Sequence, residues 1–370
     1  MREVIANRQL LFLLFVMRST VIIAYLPVLT SADALQDAWL AAVFAFAGTL
    51  IPVLAISFLG SRFPEKTLVE YSQELLGSVG GRAVSLILLG VYLLLAAIDI
   101  RLYAEVLLMS FLPETPISFI TVVMVLASAT AVYSGLEVMG RLADLIMPLF
   151  LFFVVISLLL PLLEFEFGLL LPLMGRGVWP AIRGSIAPIG VGAQYLVLAM
   201  MQPAVNEPGK AVRTSAWAVV GPSMLLVLAA VVVVGVLGAP QGADSIFPVF
   251  RMVRAVRISE IVPHMEALAV VAWGFGLFIT VAIFLYSGAR GLSQVMSLQD
   301  YRPLILPMSV IWAVLSIHAF DNLLTLSKFL SPQVLGVWGL SVVIVPYSVL
   351  YAAYGIRALL KRIRGDSHDR

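Results

Sequence analysis

Arg18, Ser19 and Thr20 stand together in the middle of an apolar run, with Leu10 to Val16 on one side and Val21 to Leu26 on the other. A central arginine in such a run costs about 2.5–3.5 kcal/mol on insertion scales, so it must face inward and find an acid or a ligand anion. The stretch AAIDIRLYAEVLL (96–108) supplies the acids. At about 100° per residue, Tyr92, Asp99 and Tyr103 share one helix face, while Arg101 and Glu105 are four apart and can pair with each other. That leaves Asp99 for Arg18, and an ion pair between them is expected. Two alternatives stand beside it: an inert pair that only fixes helix register, or an Arg18 that takes a ligand carboxylate directly.

A second polar interruption is the run Pro188-Ile189-Gly190-Val191-Gly192, followed by Gln194 and Tyr195. Proline removes a helical donor and glycine tolerates open backbone, so this stretch is expected to unwind. Two helices broken near mid-membrane, at 18–20 and at 188–192, would offer free N–H and C=O groups to a small polar ligand. A kink satisfied only by neighbouring helices is the competing reading of either break taken alone.

The elements that must position these groups are membrane helices. Of the 370 residues, 61% are hydrophobic and 12% charged, with a mean hydropathy of +1.05, far from the composition of a soluble domain. Cutting at charged, Pro-rich and Gly-rich clusters leaves ten apolar segments, at 9–30, 38–60, 83–111, 117–135, 142–163, 184–203, 214–238, 262–289, 303–318 and 334–358. The fourth and ninth are the shortest-lived, because Pro116, Pro303 and Pro307 shorten or bend them. The first five starts and the second five are offset by a slowly drifting, nearly constant spacing. This suggests a single membrane domain over 1–370, made of one five-helix repeat at 9–163 and a second, inverted one at 184–358. Placing both termini in the cytoplasm puts most of the 23 Lys and Arg residues inside. Arg2 and Arg8 before an apolar run look like a signal peptide, but Arg-Ser-Thr at its centre favours a retained helix. Outside, the segment at 239–261 carries Phe247, Phe250, Val253 and Ile258 among arginines, which suits an interfacial helix or one packed over the bundle mouth.

The same composition excludes other functions. There is no Cys, the three His are scattered (His264, His318, His368), and a net charge of +2 argues against a nucleic-acid partner. No metal or phosphate motif and no Ser-His-Asp set is present, so neither an enzyme nor a cofactor is expected. Gly77, Gly80 and Gly81 fall in a cytoplasmic turn without a P-loop lysine, and Gly274 and Gly276 suit close helix approach.

Four strings carry a resemblance: RFPEKTLVEYSQELLGSVGG (62–81), FLPETPISFI (111–120), YSGLEVMGRLADLIMP (133–148) and LLPLMGRGVWPAIRGS (170–185). In this order and spacing they resemble the membrane B subunit of spore germinant receptors, over residues 4–364. The resemblance implies an all-α, ten-helix fold with the five-plus-five inverted repeat of the amino acid, polyamine and organocation transporters (LeuT-like). It further implies a multi-pass protein of the cell membrane or spore inner membrane, a small germinant such as an amino acid, and A and C subunits as partners in the lipid bilayer. The pocket it implies comprises Met17, Arg18, Ser19 and Thr20 at the first break, Pro188, Gly190, Gly192, Gln194 and Tyr195 at the second, and Asp99, Tyr103 and Glu105 between them. One departure matters: that superfamily usually has glycines where this chain has Arg18-Ser19-Thr20, so a cradle of backbone N–H groups gives way to one of side chains. A proton- or sodium-coupled amino acid permease would use the same pocket and is the alternative.

Overall fold

The computed structural model describes residues 3–255 and 266–365, and every extended element among them is helical. In chain order these are α1 (Asn7–Ala24), α2 (Leu26–Ala34), α3 (Ala38–Ser61), α4 (Leu68–Ser110), α5 (Ile117–Tyr133), α6 (Leu136–Leu159), α7 (Trp179–Val191), α8 (Leu198–Met201), α9 (Ala211–Leu237), α10 (Ala239–Asp244), α11 (Pro248–Ala255), α12 (Glu266–Val295), α13 (Arg302–His318), α14 (Leu323–Phe329) and α15 (Val337–Gly365). Apolar side chains point both ways from many of them. Ile51, Phe119, Leu145 and Val345 are exposed, whereas Leu13, Tyr92, Phe150 and Phe284 are fully buried, the pattern of helices solvated by lipid on one side and by each other on the other.

Among the described residues eight stretches are long and apolar enough to cross a bilayer; α13 and α14, bent by 102°, make a ninth, and α5 is apolar but only 17 residues long. Lengths therefore give eight or nine spans where ten segments were expected. The two that fall short are the fourth and ninth, the pair that prolines were expected to shorten or bend.

Several helices enclose the interior. α1 packs on α6, α9 and α12; α12 packs on α4; α3 packs on α7 and α9. Both interrupted helices lie in this interior, and the first does not break where its polar residues suggested. α1 runs helical straight through Arg18-Ser19-Thr20 and stops at Tyr25, whose φ of −143° and ψ of −7° leave the helix. The cause is Pro27, which has no N–H for the carbonyl of Ile23. Arg, Ser and Thr are all tolerated within a helix; the Thr20 hydroxyl is satisfied by donating to the Val16 carbonyl at 2.7 Å. The second break begins at the last residue of the Pro188–Gly192 run and takes in Gln194 and Tyr195: α7 is helical to Val191, a tighter turn spans Gly192–Val197, and α8 resumes at Leu198.

α15 approaches α7 without side chains between them. A Cβ on Gly190 would sit 2.7 Å from the Gly336 Cα, and one on Gly339 would collide with the Gly190 carbonyl. Gly77, with φ 79° and ψ 174°, makes the turn expected of it inside α4. Phe247, Met252 and Val253 are buried and Phe250 lies edge-on to Phe111, so α11 packs against the bundle; Ile258 lies outside the described residues.

Because Gly339 meets backbone and not a movable side chain, Gly339→Ala should lower stability by about 1–3 kcal/mol. Thermal unfolding in lipid nanodiscs measures it; an unchanged midpoint would mean that α15 does not seat on α7 this closely.

Candidate functional site

The site is built from α1, the α7–α8 break and α4. Arg18 is 4% exposed, and its Nη2 donates to the carbonyl of Pro188 at 2.8 Å. That carbonyl is free for a local reason: the Gly192 N–H, its partner in a continuous helix, turns instead to the carbonyls of Ile189 and Gly190. Arg18 therefore caps the last turn of α7 with a positive charge, at the negative end of that helix.

Asp99, 3% exposed, is not its partner. The Asp99 carboxylate accepts from Gln194 Nε2 at 3.1 Å, and the Tyr25 hydroxyl faces it as well. The expected Arg18–Asp99 ion pair is thus replaced by two neighbouring arrangements, each joining α1 or α4 to the second break. Rotation of one helix about its axis relative to another decides the partner, and it cannot be counted along a chain. The Arg101–Glu105 pair does form, at 2.8 Å. Arg101 Nη1 also donates to the carbonyls of Ile317 and Phe320, where α13 ends and the 102° bend begins.

Of the twelve residues proposed from the sequence, the structure joins Arg18 to Pro188 and Asp99 to Gln194, and buries Met17 and Ser19 next to Arg18 along α1. The Tyr195 hydroxyl donates to Ala218 of α9 at 2.6 Å and still lies near Arg18. Thr20 packs on Gly276 of α12; Tyr103 lies edge-on to Trp273; Glu105 is held by Arg101. Gly190 contacts α15, and a Cβ on Gly192 would lie 3.0 Å from Thr49 of α3. Tyr25 was missed. Its signal was present, a polar aromatic two residues before Pro27 inside an apolar run, where a helix must end.

Three polar atoms in this cluster are buried with no hydrogen-bond partner: Arg18 Nη1, Ser19 Oγ and Gln194 Oε1. They comprise a charged donor, a hydroxyl that can donate or accept, and an acceptor beside a carboxylate. Left empty in a membrane interior each is costly, and together they match a ligand with an anionic and a cationic end. A separate cavity of about 860 Å³ opens beside the N-terminal residues, lined by Glu3, Arg141, Arg290 and Tyr301 among others. There the Tyr301 hydroxyl donates to Glu3 at 2.9 Å, tying the N-terminal strap to the bundle.

A family model described as spore germination protein matches residues 4–324. The chain belongs to the spore germination protein family. Among curated relatives of Bacillus subtilis (strain 168), spore germination protein YndE is 24% identical over 267 residues, covering 70% of this chain and 72% of that one. Spore germination protein KB is 22% identical over 78% of each chain, and spore germination protein A2 is 23% identical over 75% of this chain and 76% of that one. Among solved structures, MhsT in complex with L-phenylalanine covers 96% of this chain and 99% of its own with a TM-score of 0.70 at 13% identity. MHP1, a nucleobase-cation-symport-1 family transporter in a closed conformation with bromovinylhydantoin bound, covers 89% and 75% with a TM-score of 0.58 at 16% identity. At such identities the likeness shows the fold alone: this spore germination protein has the LeuT-like transporter architecture, and it is a multi-pass membrane protein.

Glu105 and Asp99 should behave differently on substitution, since only the first is paired with an arginine. Glu105→Ala strands Arg101 in a buried position and should cost about 3 kcal/mol of stability. Unfolding of the two single variants in nanodiscs checks this: a Glu105→Ala protein as stable as the parent would show that the pair at the α13–α14 bend carries no weight.

Proposed function

We propose that this protein is the membrane subunit of a spore germinant receptor, and that it recognises a small germinant, an amino acid by chemical class, between its two broken helices. The observation that carries the reading is the set of unpartnered buried atoms: Arg18 Nη1 and Ser19 Oγ on α1, and Gln194 Oε1 beside Asp99 at the second break. A ligand carboxylate fits the first two and a ligand ammonium the second pair. Membership of the spore germination family supports the sensing role over a coupled permease, for which no observation here speaks.

Binding becomes a signal when the ligand prefers one arrangement of the bundle to another. α4 is suited to pass it on, because Asp99 touches the ligand cluster and Arg101, two residues away, holds the bend between α13 and α14. In this reading the repeats at 9–163 and 184–358 move against each other, both termini lie in the cytoplasm, and the protein sits in the inner membrane of an endospore. Its partners are an A subunit with cytoplasmic domains and a lipoprotein C subunit.

Calorimetry on the purified protein in nanodiscs, with each standard amino acid and its α-carboxamide, tests the pocket. An amino acid that binds should lose about tenfold or more in affinity as its amide, because a hydrogen bond to a charged group contributes roughly 1.5–3 kcal/mol. Arg18→Gln should abolish that preference. Amide and acid binding equally well to the parent protein would overturn the assignment of Arg18. In liposomes, saturable binding without concentrative uptake is expected; concentrative uptake would make it a permease.

A further inference from the structure

A helix end that stops at mid-membrane exposes carbonyl oxygens at its negative pole, and in a bilayer those oxygens must be met by something positive or by a donor. Two solutions are open to such a site. A diffusible alkali cation can bind the unwound carbonyls, or a fixed side chain can take its place. Here the end in question is that of α7, and the group that meets it is the Arg18 guanidinium, donating to Pro188 O at 2.8 Å.

Three features mark this as more than a chance contact. Arg18 comes from α1, the opposing broken helix, and not from α7 itself, so the charge is supplied across the site. The nearby acid does not compete for it, since Asp99 is engaged by Gln194 and faced by Tyr25. Finally, only one arm of the guanidinium is used. Nη1 is buried and unpartnered, which leaves the same cation free to face a ligand. A planar guanidinium suits this double duty better than an ammonium, because its donors point in fixed, separate directions.

We infer that Arg18 is a resident cation: it neutralises the broken end of α7 permanently, so that this protein needs no sodium or potassium ion to hold its binding site together. The charge is then part of the chain, and separation of α1 from α7 would carry it away from the helix end. No gradient of a metal cation would be sensed or spent at this position.

Thermal unfolding of the purified protein in lipid nanodiscs, followed by intrinsic tryptophan fluorescence in sodium, potassium or choline chloride at equal ionic strength, tests the inference. No germinant is added, so a failure here leaves the pocket reading intact. The parent protein should have one midpoint in all three salts, and Arg18→Lys, which keeps a fixed charge, should be equally indifferent. Arg18→Gln should unfold at a lower temperature and regain several degrees, saturably, with sodium or low concentrations of guanidinium ion but not with choline. A parent protein stabilised saturably by sodium or potassium over choline would overturn the inference, as would a folded Arg18→Gln that responds to neither ion. If Arg18→Gln does not fold, the parent and Arg18→Lys in the three salts decide by the same criterion.

Discussion

The bond from the Arg18 guanidinium to the Pro188 carbonyl is the constraint on which the interior depends. A membrane offers no water to an unpaired backbone group, so a chain that breaks a helix at mid-depth must supply the missing partner from elsewhere in the fold. α7 shortens its hydrogen-bond pattern at Gly192, which strands one carbonyl, and α1 supplies the donor. The expense of burying an arginine is offset by ending a helix with a cation, the favourable sign at that pole. With the charge so placed, one guanidinium arm and one serine hydroxyl on α1 and one amide oxygen in the turn after α7 stay buried and unpartnered.

α4 holds this arrangement from its other side. The Tyr92 hydroxyl donates to Leu196 O at 2.9 Å, within the tight turn after α7, and Asp99 accepts from Gln194 in the same turn. Two residues along, Arg101 reaches the carbonyls of Ile317 and Phe320 where α13 ends. A single helix thus supports both the break that bears the binding groups and the bend farther along the chain. The backbone of α15 at Gly339, and of the turn just before it at Gly336, closes the opposite flank, where no side chain intervenes that could yield. Packed in this way, the site cannot deform gradually, and a shift of α1 must be taken up as a change of partners.

Much of this was legible in the sequence. Arginine, aspartate and glutamine in apolar runs are expensive enough to announce an interior site, and Asp99, Arg18 and Gln194 do meet there. The pairing of Arg101 with Glu105 followed from a spacing of four on one helix. What the sequence withheld was of two kinds. The location of the first break was misplaced because polarity was taken as the sign of unwinding, when the backbone yields where Pro27 removes a donor; Tyr25, not Arg18, is the residue that leaves the helix. The choice of partner for Arg18 depends on how α1 and α4 are rotated about their axes and on a carbonyl that only an unwound turn exposes. Neither can be counted along a chain. The fold, by contrast, followed from hydropathy together with four strings that resembled a known family, and the count of spans was uncertain only where prolines cut helices short.

The central claim is that Arg18 belongs to the end of α7 and not to Asp99. Solid-state NMR of the protein in lipid, with arginine guanidinium nitrogens labelled with nitrogen-15 and either proline carbonyl or aspartate carboxyl carbons labelled with carbon-13, measures both contacts directly. The account predicts a guanidinium-to-proline-carbonyl coupling in the parent protein that disappears in Arg18→Lys, and an aspartate spectrum in which the same substitution removes nothing. An arginine-to-aspartate coupling lost in Arg18→Lys, with the proline signal unchanged, would contradict it.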